Sequence, residues 1–78
     1  MMIDGKIVSV MESWPLQLIV ETATDRYNVL LLLETMITRR GVKISAGELN
    51  PSLRVLIKGH RSSENQFAMT AQQIEILE

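Results

Sequence analysis

Residues 16–33 limit most what this chain can fold into: two apolar runs, 16–20 and 27–33, flank the polar sequence Glu21-Thr22-Ala23-Thr24-Asp25-Arg26. Runs of this length on either side of a turn-forming segment read as a β-hairpin. The second run holds four consecutive leucines, Leu30 to Leu33. Successive side chains of a strand point to opposite faces, so such a run puts apolar side chains on both faces at once. One face must be the core, and what covers the other is the functional question.

Alternation assigns the faces. In the first arm Leu16, Leu18, Val20 and Thr22 alternate against Gln17, Ile19 and Glu21, and in the second Tyr27, Val29, Leu31 and Leu33 alternate against Arg26, Asn28, Leu30 and Leu32. The polar members mark the latter set of each arm as outward. Ile19, Leu30 and Leu32 are therefore expected outside on neighbouring strands, with Asn28 and Arg26 on the same face. Adjoining exposed aliphatic residues, unlike scattered ones, mark an interaction site. The face predicts a homodimer or a docking surface for another protein, unless the segment 35–44 folds back and covers it within one chain.

Around this hairpin the remaining elements fall into order. A first strand spans residues 3–11, and Ile7 and Val10, three apart, share a face only if a bulge near Val8-Ser9 bends it. A loop follows over Glu12-Ser13-Trp14-Pro15, because proline lacks a donor and restricts the residue before it. After Glu34 the period is lost as far as Ile44, which predicts a short strand or an extended arm. Ser45 with Glu48 three residues on is the reciprocal pair that opens a helix, Pro51 stops it after about one turn, and Leu49 is its apolar anchor. A fourth strand covers 53–60, with Leu53, Val55 and Ile57 on one face and Gly59 ending or bending it. A polar turn over 61–65 leads to a fifth strand, 66–77, where Phe67, Met69 and Ala71 alternate, Gln72-Gln73 shifts the phase, and Ile74 and Ile76 resume.

Five strands, a bulged first strand, a hairpin joining strands two and three and one helical turn between strands three and four make an all-β, OB-like barrel, a single domain over residues 1–78. Its expected core is Ile7, Val10, Leu18, Val20, Val29, Leu31, Val55, Ile57, Met69 and Ile74. Signposts along the whole chain support this order: Gly5-Lys6-Ile7-Val8-Ser9-Val10, Thr35-Met36-Ile37, Ser45 with Glu48-Leu49-Asn50-Pro51-Ser52-Leu53-Arg54-Val55, Ile57-Lys58-Gly59, and Ala71 with Ile74. The chain resembles small bacterial OB-like domains of unassigned function. That resemblance implies the barrel and brings no agreed catalytic residues with it.

Composition narrows the function classes. A chain of 78 residues has room for one small core and a thin stability margin. It holds no cysteine, so disulfides and thiolate metal sites are excluded, and small domains without such staples gain stability by associating. The amino-terminal sequence has an acid at its fourth position and no basic segment before a long apolar run, so a secretory signal is not expected. No apolar run approaches the roughly 20 residues needed to span a bilayer, and the cytoplasm is the default location. Eight basic and nine acidic residues give a net charge of −1, which argues against a strong polyanion binder.

Chemistry-bearing residues are few. His60 is the sole histidine and reads as a solvent-facing strand end; no serine or threonine has an evident base, and no two acids form a recognisable pair. Neither an enzyme, a metal nor a cofactor is implied. Arg39, Arg40 and Lys43 form a basic cluster that reads as a solvated loop or as a contact to phosphates or an acidic partner. Trp14 lies in a loop that OB folds use to grip oligonucleotides, as a plug of the barrel end or as a base-stacking platform. The alternative to a protein-interaction module is thus weak single-stranded nucleic-acid binding through Trp14, Arg26, Arg39, Arg40 and Lys43.

Overall fold

The computed structural model describes residues 1–12 and 15–77. These contain β1 (Met2–Met11), β2 (Gln17–Glu21), β3 (Arg26–Arg39), β4 (Val42–Lys43), one 3-10 turn (Ala46–Glu48), β5 (Arg54–Arg61) and β6 (Ala68–Ile76). The strand order is β2-β1-β5-β6-β3-β4, and β2 pairs with β3 as well. That additional pairing closes β1, β2, β3, β6 and β5 into a five-stranded, OB-like barrel and leaves β4 as a short appendage on β3. Every pairing is antiparallel except that of β3 with β6, which is parallel.

The inward residues of the alternating segments make the core. Ile7, Leu18, Val20, Val29, Leu31, Val55, Ile57, Met69 and Ile74 are buried as expected, Val10 is half-buried against them, and Ile3, Ile37, Leu49, Ala71 and Ile76 complete the cluster. No polar or charged residue is buried among the described residues. Stabilisation therefore comes from apolar burial and from the ladders, in which a closed barrel leaves few edges.

Phase slips in the sequence mark two bulges. Ile7 faces Val20 and Ser9 faces Ile19, so Val8 is the extra residue on β1. Lys58 faces Gln73 and Gly59 faces Ala71, so Gln72 is the extra residue on β6. Gly59 does not end its strand, which runs on to Arg61. Glycine is needed there because a Cβ at this position would overlap the Thr70 carbonyl oxygen of β6.

A third irregularity escapes the alternation. Leu31 faces Ala71 and Met36 faces Gln73, so residues 32–35 of β3 stand opposite Gln72 alone. The bulge turns Leu33 out of line while Leu31 and Ile37, six residues apart, keep the same inward face, and β3 continues to Arg39, beyond the expected end at Leu33. Leu33, expected inward, is 84% exposed. Phe67, also expected inward in the last strand, precedes β6 and lies exposed, its ring edge-on to Tyr27 at 6.0 Å between centroids.

The aperiodic segment is a two-residue hairpin rather than a loose arm. Arg39 pairs with Val42 and Thr38 with Lys43 across Arg40 and Gly41, whose φ angles of 53° and 78° suit a type I′ turn. The 3-10 turn then follows without the expected reciprocal cap: the Ser45 side chain makes no capping bond. Glu48 N–H and Leu49 N–H donate instead to the Ser45 and Ala46 carbonyls, and the Glu48 carboxylate lies 3.8 Å from Arg39. Leu49 is buried and anchors the turn.

Candidate interaction surface

The β2–β3 hairpin places Gln17 opposite Leu30, Ile19 opposite Asn28 and Glu21 opposite Arg26 on its outer face. Thr22 closes its tip, accepting from Asp25 N–H and Thr24 N–H and donating to the Asp25 carbonyl. Asn28 is exposed, whereas Ile19 and Leu30 are only half-buried. Each is sheltered by strands on both sides, Ile19 between Asn28 and Ser9 of β1, and Leu30 between Gln17 and Thr70 of β6. The expected contiguous patch is correspondingly shallower than alternation alone implies.

Leu32 leaves that row because it opens the β3 bulge. Its backbone N–H donates to Thr35 Oγ1 at 2.8 Å, and Thr35 Oγ1 in turn donates to the Ala71 carbonyl at 2.7 Å. One hydroxyl thus holds the bulge to itself and to β6. Beyond Leu31, whose N–H donates to the Leu16 carbonyl, β3 leaves β2; β4 then pairs with its far end, and Ile44 N–H donates to the Ile37 carbonyl. Between these two attachments lies a groove of about 210 Å³, lined by Leu16, Leu31, Leu32, Leu33, Ile37, Ile44 and Ala46, with Thr35, Lys43 and Ser45 as its polar members.

Segment 35–44 therefore does not cover Ile19 and Leu30. Residues 36–39 pair with Gln73, Ile74, Glu75 and Ile76 of β6, residues 42–44 fold back on Ile37, Thr38 and Arg39 at the opposite end of β3 from Asn28, and the segment forms one wall of the groove instead. Alternation missed Leu16, Leu33 and Ile44 as surface formers. The one signal in the sequence is the loss of period after Glu34, where the clean alternation of the strand ends.

The residues named for nucleic-acid contact do not form one surface. Arg26 begins β3 and is paired with Glu21, Nε to Oε2 at 2.9 Å. Arg39, Arg40 and Lys43 belong to the hairpin at the other end of that strand, with Arg39 half-buried beside Glu48 and its Nε buried without a hydrogen-bond partner. Trp14 lies outside the described residues. His60 is exposed on β5, its Nε2 at 2.8 Å from Gln72 Nε2. Among the described residues, no three His, Asp or Glu side chains stand together so as to hold a metal ion, and no helix is long and apolar enough to cross a membrane.

No protein-family model matches the chain, nor does any curated protein or solved structure match it significantly. The class that the geometry defines is a small closed OB-like β-barrel. Its distinguishing feature is an apolar groove where the third strand bulges away from the second.

Proposed function

We propose that this barrel is a non-catalytic interaction module that self-associates or docks another protein through the apolar surface of the β2–β3 hairpin. The observation that carries the reading is the run of leucines on one strand that the core does not consume. Leu30 is half-buried on the outer face, Leu32 is 38% exposed and Leu33 is 84% exposed beside the groove. Full burial of an aliphatic side chain is worth roughly 1.5–3 kcal/mol before association costs, so a few of them can sustain a specific contact. The resemblance to small bacterial OB-like domains belongs to the same proposal and is consistent with a module that carries no catalytic machinery.

Sedimentation of the wild type over a wide concentration range, with Leu30→Lys as comparison, tests this. A folded Leu30→Lys protein that has lost the self-association, or lost a protein captured by the wild type, is the expected result. A wild type that stays monomeric at high concentration and captures nothing that Leu30→Lys fails to capture refutes it.

A further inference from the structure

Resting on that reading, we propose that the groove is occupied by a second copy of this chain. The two copies are related by a two-fold axis, so that Leu33 of each enters the groove of the other and Glu34 of each meets the partner's Lys43.

Shape, charge and size each point to this occupant. Leu33, at 84% exposure, projects from a bulge held by Thr35 and stands at the rim of the apolar groove that it lines together with Leu16, Leu32, Ile44 and Ala46. A projection and a recess adjacent on one surface suit an isologous contact, in which each copy supplies both parts. Glu34 follows the projecting leucine and Lys43 lines the recess, and both are exposed. Neither has an ion-pair partner among the described residues, where the pairs are Arg26–Glu21, Arg39–Glu48 and Arg54–Asp4. A second copy brings the missing opposite charge to both at once. At about 210 Å³ the groove is smaller than the roughly 300–1,000 Å³ of sites for cofactors and drug-sized ligands, and it suits one or two side chains.

The affinity follows from the area. A standard interface takes about 800 Å² from each partner, and this protein's whole accessible surface is 4940 Å². A contact centred on one groove of about 210 Å³ is narrow on that scale, so the dimer is a concentration-dependent one. With a net charge of −1 per copy, long-range repulsion does little to oppose it.

Sedimentation velocity at low salt, over a concentration series, tests the contact. Glu34→Lys and Lys43→Glu should each weaken dimerisation roughly tenfold or more by placing like charges together, and the double variant should regain most of the wild-type affinity. Leu33→Ser should abolish the dimer. Leu33, Glu34 and Lys43 are all on the surface, and circular dichroism with urea unfolding establishes that each variant is folded. The proposal is overturned if the wild type is monomeric throughout, if Leu33→Ser dimerises like the wild type, or if the double variant is as weak as the single ones. A wild-type dimer that Leu30→Lys dissociates but the Leu33, Glu34 and Lys43 variants do not would overturn this pairing while leaving the interaction-module reading intact.

Discussion

Replacing Leu31 and Leu33 separately by alanine tests the bulge of β3 most directly, because the two leucines are chemically identical and, in a regular strand, would share a face. Leu31 is 2% exposed and Leu33 is 84% exposed. Truncating Leu31 removes buried carbons worth about 0.8 kcal/mol each in transfer and leaves a cavity, so the loss should be about 3 kcal/mol within the 2–5 kcal/mol seen for such changes. A domain of 78 residues rests on roughly 4–12 kcal/mol in total, and Leu31→Ala would forfeit a large part of it. Leu33 hides only about a sixth of its surface, which scales the loss for Leu33→Ala to about 0.4 kcal/mol or less. Urea unfolding, run dilute enough that association contributes nothing, reads both. With a slope of about 1 kcal/mol per molar, the midpoint should fall by roughly 2–3 M for Leu31→Ala and by less than about 0.5 M for Leu33→Ala. Equal losses at the two positions would mean that β3 alternates without a bulge and that Leu33 packs inside. That result would also remove the projection on which the proposed dimer depends.

Three further outcomes follow from the same geometry. Gly59→Ala should destabilise by about 1–3 kcal/mol or prevent folding, since its Cβ would meet the Thr70 backbone, whereas Gly47→Ala, with only Ser45 Oγ at 3.7 Å, should be neutral or stabilising by a few tenths of a kcal/mol in the same urea titration. Thr35→Val removes the hydroxyl that serves both Leu32 N–H and the Ala71 carbonyl; it should cost about 1–3 kcal/mol and speed amide exchange at Leu32. Fluorescence anisotropy with single-stranded oligonucleotides at physiological salt should find no binding tighter than about 10 µM, because net charge −1 releases few counterions; a sub-micromolar, Trp14-dependent complex would contradict this.

The elements that were legible in the sequence are those whose period is broken by a single residue. One extra residue on a strand leaves a clean pattern on either side, so Val8 and Gln72 could be located as bulges from Ile7 with Val10 and from Ala71 with Ile74. The β3 bulge was not legible, because residues 32–35 stand against one residue of β6 and a run of leucines has no polar member to reveal its phase. Ending the strand at Leu33 hid Ile37 as a core residue and the continuation of β3 to Arg39, and the unseen bulge hid the outward turn of Leu33. The hairpin at Arg40-Gly41 was obscured for a different reason: a type I′ turn is signalled by asparagine or aspartate before glycine, and here an arginine takes the left-handed position. On the outer face, Ile19, Leu30 and Asn28 were assigned to the correct side. What alternation could not supply is how far β1 and β6 shelter the two aliphatic residues, which depends on pairings remote in sequence.

The parallel pairing of β3 with β6 has a consequence for how the protein is made. Asn28 lies opposite Ala68 and Arg39 opposite Ile76, so the seam that closes the barrel joins residues about forty apart with β5 already in place between them. Seams this remote are closed only after a large loss of chain entropy, which slows folding relative to domains built from neighbouring contacts. During synthesis the β2–β3 hairpin emerges early, yet its inner leucines and the open margin of β3 have no cover until β6 has cleared the ribosome. Nascent chains stalled before residue 68 should therefore be the species most prone to aggregate and most in need of chaperones.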